Sequence, residues 1–116
     1  MTAKHVFNFT DIKKKVFEDR WVRFAFGQQG KVASKELNLG IVEFDKNTKS
    51  NPHMHDVEEA LFVLSGEANM VLGKDRLDIK KDDFIYIPKK TGHSFRTGDK
   101  KIRILFIFGG DILISR

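Results

Sequence analysis

At 116 residues, with 41% hydrophobic and 32% charged side chains, the chain is long enough for one packed core, too short for two ordinary domains and too apolar for a disordered one. The lack of cysteine excludes disulfides, thiolate metal ligands and a thiol nucleophile, so any bound metal must use nitrogen and oxygen donors. The net charge of +5 comes from Lys and Arg scattered in pairs such as Lys80-Lys81, Lys89-Lys90 and Lys100-Lys101; that spread specifies no nucleic-acid face and leaves solubility and some attraction for anionic small molecules.

Met1 to Phe9 has no apolar stretch behind a basic cluster, and the longest apolar run, Ile104 to Phe108, is far too short to span a membrane. The expectation is a soluble, cytoplasmic chain with neither a membrane nor a nucleic acid as partner. Residues 10–20 read as a short helical turn, with Thr10 or Asp11 as cap ahead of Ile12, Val16 and Phe17. From there on, short segments of alternating or continuous apolar character are separated by turn residues, and none sustains a 3.6-residue period. Strands are expected at Arg20 to Phe26, Leu37 to Phe44, Ala60 to Leu64, Ala68 to Leu72, Phe84 to Ile87, His93 to Thr97 and Ile102 to Phe108, with Ile112 to Ser115 as a possible last one. Seven to nine strands in a chain of this size point to an all-β sandwich or closed barrel. Gly66 and Gly73 read as hairpin turns between them.

Three of the four histidines cluster near a carboxylate. His53 and His55 are two apart, so on an extended backbone both imidazoles leave one face, with Cα atoms about 6 to 7 Å apart. Glu59 keeps that parity if the strand continues, and Glu58 then points the other way; a one-residue bulge would exchange them. His93 opens a later strand that a barrel can bring alongside, and Phe95 shares its face. Three imidazoles and one carboxylate suit a borderline divalent ion such as Fe2+, Mn2+, Ni2+ or Zn2+, with one or two coordination positions left over.

The stretch from Gly40 to Gly66 resembles the first cupin motif: His53-x-His55, three residues, Glu59, six residues and Gly66 keep its spacing, although Gly40 lies farther ahead of His53 than the pattern asks. The second cupin motif is matched by Pro88 and His93, while Asp82, Lys90 and Thr97 stand where it has glycine, glycine and asparagine. The Lys90 position is strained if it needs a positive φ, unless Gly92 takes that conformation over. The resemblance implies a double-stranded β-helix, or jelly-roll barrel, as one domain over 1–116, with its core over roughly 37–108 and an N-terminal segment over 1–20. It also implies one divalent transition-metal ion held by His53, His55, Glu59 and His93. Cupins include dioxygenases, isomerases, decarboxylases, lyases and ligand sensors, so the fold alone names no reaction.

An enzyme acting on a small organic acid, phenol or sugar derivative is expected, with dioxygenase chemistry slightly ahead of isomerase, decarboxylase or lyase chemistry. The alternative is a non-catalytic metal- and ligand-binding module. Tyr86, the sole tyrosine, is a candidate proton donor near the metal. Arg23 and Glu43 either anchor a substrate from the barrel wall or lie on the surface of their strands, and surface placement is the reading preferred. A homodimer is expected, formed through an open barrel edge carrying Phe106 and Phe108.

Overall fold

The computed structural model describes residues 5–110. Asn8 caps a single 3-10 turn over Phe9–Asp11, its side chain accepting from the Thr10 amide while its own amide donates to Asp11. The cap therefore sits ahead of both Thr10 and Asp11, and the expected helical turn ends at Asp11. Lys15–Val16 (β1) is already a strand, because Val16 faces solvent and offers no apolar helical stripe to bury. Seven further strands follow: Arg20–Phe26 (β2), Leu37–Phe44 (β3), Glu59–Leu72 (β4), Asp75–Lys80 (β5), Phe84–Ile87 (β6), His93–Arg96 (β7) and Ile102–Gly109 (β8). The possible strand at Ile112 to Ser115 lies outside the described residues.

All strand pairs are antiparallel, and β4 belongs to both layers of the barrel. Its first half pairs with β8 and β6 in a sheet that continues through β3, β2 and β1, and its second half pairs with β5 and β7. The two strands expected at Ala60 to Leu64 and Ala68 to Leu72 are thus one strand, and Gly66 is no hairpin turn. It sits beside a register shift between Val63 and Ser65, at φ +83°, where the chain passes from one sheet into the other. Gly73 does occupy the two-residue turn joining β4 to β5. β5 escaped the sequence reading because its pattern shows five exposed residues and one buried one, Ile79, too weak an alternation to register.

The inward faces of both sheets meet in one core, in which Val63, Met70, Ile102 and Ile104 are fully buried. β8 runs between β3 and β4 as a central strand, so Phe106 and Phe108, 7% and 3% exposed, belong to this core. They therefore lie on no open edge that could carry them into a dimer; among the described residues the exposed large apolar side chains are elsewhere, with Val6 at 83% and Phe84 at 82% foremost. Arg23 and Glu43 lie on the outer face, as their strands' alternation requires. Glu43 accepts from Trp21 Nε1 and from the Arg103 guanidinium, and Arg23 donates to the Phe9 carbonyl and lies 4.0 Å from the Phe9 ring centroid. No helix of the described residues is long and apolar enough to cross a membrane.

Candidate metal centre

His53 and His55 precede β4, and a bend at Asp56-Val57 separates them from Glu59. The expected single extended run through 53, 55 and 59 is therefore interrupted, and strand parity is not what brings these side chains together. Pairing with β7 does much of that work. The segment ahead of the histidines runs antiparallel to β7 through bridges Lys49 to Arg96 and His53 to His93, the latter closed by two reciprocal 2.9 Å hydrogen bonds. Thr97 pins the start of that segment: its buried hydroxyl donates to the Asp45 carbonyl at 2.6 Å and accepts from the Thr48 amide at 3.0 Å. Where the cupin pattern has an asparagine, this threonine holds the longer loop in place.

On the other side, the Lys90 amide donates to the His55 carbonyl at 2.7 Å. Lys90 adopts φ +56° and Asp82 φ +74°, whereas Gly92 is not in that region. Both residues that replace motif glycines thus keep a glycine-like backbone and carry the strain. A left-handed non-glycine residue costs about 1 kcal/mol or more, and glycine returns part of that as unfolded-chain entropy. Lys90→Gly is expected to raise the unfolding free energy by roughly 0.5 to 1 kcal/mol, read by urea denaturation; a loss of stability would show that the lysine side chain makes a contact worth more than the strain.

Glu59 opens β4 between Phe108 of β8 and Ile87 of β6 and is 6% exposed. Its Oε1 lies 3.8 Å from His93 Nε2 and 4.0 Å from His55 Nε2. His93 Nδ1 is 3.4 Å from the Thr91 carbonyl, which can only accept, so this contact favours the proton on Nδ1 and presents Nε2 toward Glu59. One donor atom from each of His55, Glu59 and His93 lies within 4.8 Å of the others. Donors bound to one ion at about 2.0 to 2.2 Å stand about 3 to 4.3 Å apart, so the three fit a common ion after side-chain shifts of about half an ångström. His53 stands outside that group, its ring centroid 6.2 Å from that of His93 and 6.5 Å from that of His55.

A cavity of about 40 Å³ adjoins the cluster and is bounded by His53, Glu59 and His93 at one end, with Phe95, Phe44 and Leu61 among its apolar walls. Phe95 lines it, as its parity with His93 predicts. Tyr86 does not: it is 57% exposed on the opposite face of β6 and donates its hydroxyl hydrogen bond to Glu58. A β-strand sends adjacent residues to opposite faces, which places Tyr86 away from the face that carries Glu59 and out of reach of the His55, Glu59 and His93 cluster as a proton donor. The Glu58 contact, chiefly its hydrogen bond with the phenol, holds the Tyr86 pKa above its usual value. The stability this contact contributes is present below the ordinary tyrosine range and is lost as pH rises through the raised value. Ultraviolet titration of this sole tyrosine is expected to give a midpoint above about 10 that returns toward the ordinary value in Glu58→Gln; equal midpoints in the two proteins would show that the contact does not persist in solution.

Sequence reasoning missed Arg20. Its place on the inner face follows from alternation with Val22 and Phe24, but a charged residue at a strand start reads more simply as surface.

A cupin domain model matches residues 40–108, and the chain belongs to the cupin family. It is 29% identical over 98 residues to dimethylsulfoniopropionate lyase DddQ of Ruegeria pomeroyi, a match covering 83% of this chain and 49% of that protein, so the chain spans about half the length of that relative. The solved structure of the same lyase superposes with a TM-score of 0.81 at 21% identity, covering 91% of this chain and 60% of the other. The polyketide cyclase RemF of Streptomyces resistomycificus gives a TM-score of 0.79 at 22% identity over 99% and 89% of the two chains. KdgF of a Halomonas species gives 0.78 at 17% over 95% and 96%. At such identities the structural likeness establishes the double-stranded β-helix and leaves the reaction open.

Proposed function

We propose that the chain is a metal-dependent cupin enzyme in which His53, His55, Glu59 and His93 hold one divalent transition-metal ion, and a small oxygen-bearing organic molecule reacts in the adjoining cavity. The observation that supports it is the convergence of His55, Glu59 and His93 within 4.8 Å at the end of an apolar cavity. An ion of the Fe2+, Mn2+, Ni2+ or Zn2+ type would supply Lewis-acid polarisation of a substrate oxygen. Glu59 contributes the one negative charge of the donor set. Thr91 orients the His93 ring, while Phe44, Phe95 and Leu61 exclude water and so strengthen every charge interaction in the cavity.

Non-oxidative lyase, decarboxylase or isomerase chemistry moves ahead of the dioxygenase chemistry favoured by the residues alone, because the relative matching 83% of the chain is a lyase. Its substrate is not carried over. The test is turnover by metal-loaded protein against a panel of small acids, phenols and sugar derivatives, with and without oxygen. Product formation that needs no oxygen is the expected result; no turnover of any member leaves the non-catalytic binding module.

The two ring separations of His53 favour a second assignment within the same site. With His53 outside the three-residue group and on the cavity wall, its imidazole is placed to accept a proton from the substrate while the other three residues serve as ligands. His53→Ala separates the two: as a ligand its loss lowers metal affinity, and as a base its loss leaves the ion and removes turnover.

A further inference from the structure

Among the described residues, Arg20 is the one side chain of permanent positive charge lining the cavity that adjoins the His55, Glu59 and His93 cluster. The alternation that turns Val22 and Phe24 of β2 inward turns Arg20 inward with them, opposite Phe44 of β3. The side chain is 8% exposed. Its guanidinium carbon lies 5.4 Å from the Phe17 ring centroid and 5.3 Å from that of Phe44. The ion pair it makes among the described residues is with Asp19, Oδ1 to Nε at 3.8 Å, beyond hydrogen-bond distance, and Nε is buried without a hydrogen-bond partner.

A buried guanidinium is expensive unless its donors are met. Two ring faces and one long ion pair meet few of them. Desolvation accordingly weakens the hold of Arg20 on its proton, an effect that Asp19 offsets only in part. Among the described residues that line the cavity the only carboxylate is Glu59, which the proposed metal site commits to the ion. Adding a divalent ion to that carboxylate and this guanidinium leaves two net positive charges in the lining, which the 3.8 Å pair with Asp19 offsets only in part. An uncharged ligand would leave them so; an anionic one would not.

We propose that Arg20 anchors the carboxylate of a small carboxylic acid in this cavity, leaving the molecule's other oxygen-bearing group toward His55, Glu59 and His93. The inference rests on the metal-site reading for the second half of that statement and on Arg20 alone for the first. The guanidinium fork takes carboxylate and phosphate alike, and it is the small free space that favours the flat three-atom carboxylate over the bulkier tetrahedral phosphate. The planar guanidinium matches a planar carboxylate through two parallel N–H···O bonds, and about 40 Å³ of free space is only some three times the ~10–15 Å³ that one water needs. Binding such an acid also satisfies donors that the free protein leaves unmet, so the residue's energetic cost is expected to be recovered in the complex.

The competing role for Arg20 is structural, as a strut between Phe17 and Phe44. The test is calorimetric titration of zinc-loaded protein with malonate, with malonamide and inorganic phosphate as comparison arms, on wild type, Arg20→Met and Arg20→Lys. Malonate is expected to bind wild type and to lose about 10- to 100-fold in affinity in Arg20→Met, the range for a hydrogen-bonded charge. Zinc content stays the same, and the unfolding midpoint without malonate is equal to or above that of wild type. Arg20→Lys keeps the buried charge but not the fork, so a lowered malonate affinity there supports the anchor even if the methionine variant does not fold. Unchanged malonate affinity in a folded Arg20 variant, no malonate binding by wild type at millimolar concentration, or phosphate or malonamide binding as tightly as malonate overturns the proposal. The two readings fail separately. Wild type that takes up no zinc yet binds malonate through Arg20 removes the metal site and keeps the anchor, whereas zinc-loaded protein with Arg20-independent malonate binding does the reverse.

Discussion

Glu59→Gln is expected to weaken metal binding at least about a hundredfold, since loss of partners one step removed from an ion already costs about 10- to 100-fold. Glutamine matches the size of glutamate, so the packing of Glu59 between Phe108 and Ile87 survives and the difference reports on charge. The same change one residue earlier should do nothing to the metal. Glu58 is exposed and engaged with Tyr86 on the outer face. Competition with a chromophoric chelator measures both variants on one scale. A Glu58→Gln protein that loses its metal, beside a Glu59→Gln protein that keeps it, would mean that β4 enters the barrel one residue away from the register that sets Glu59 opposite Ile87 and Phe108.

The second large effect belongs to the backbone. Gly66 has φ +83°, and a Cβ there would lie 1.8 Å from the Lys101 carbonyl oxygen, which β8 pairing holds in place. Two costs add: the conformation is one that L side chains rarely adopt, and main chain has to move to make room. Together they amount to roughly 3 to 5 kcal/mol, a large part of the roughly 5 to 15 kcal/mol that holds a small domain folded. Gly66→Ala is therefore expected to be mostly unfolded or to melt far below wild type. Gly73→Ala is the control. It shares the positive φ, at +59°, but its added Cβ would meet only a Thr91 methyl at 3.6 Å, so about 1 kcal/mol is expected. Equal, small losses in the two variants by urea unfolding would show that the crossing of β4 from sheet to sheet is looser than its geometry implies.

That contrast also marks what the residues disclosed and what they withheld. Alternation placed β2, β3, β6 and β8, because each buries one face and so prints a period of two into its sequence. It failed for β5, which buries a single side chain, and it cut β4 in two, because a glycine at a bulge and a glycine at a turn look alike in one dimension. The cluster of His55, Glu59 and His93 was legible from residue type and spacing, yet the reason for its convergence was not. Pairing of residues 49 and 53 with β7 is long-range, and so is the anchoring of residues 45 and 48 by the Thr97 hydroxyl. Lys90 and Asp82 show the reverse case: the sequence departs from the motif's glycines, but the surrounding hydrogen bonds impose the motif's backbone. Arg20 stayed hidden because inward-facing charge is rare enough that alternation alone does not argue for it.

Crystals of the protein soaked in Zn2+ and measured above and below the zinc absorption edge would locate the ion directly. One anomalous peak per chain is expected, about 2.0 to 2.2 Å from His55 Nε2, a Glu59 carboxylate oxygen and His93 Nε2. A fully soaked crystal with no peak there, or with zinc only on surface carboxylates and His5, would contradict the proposed metal site.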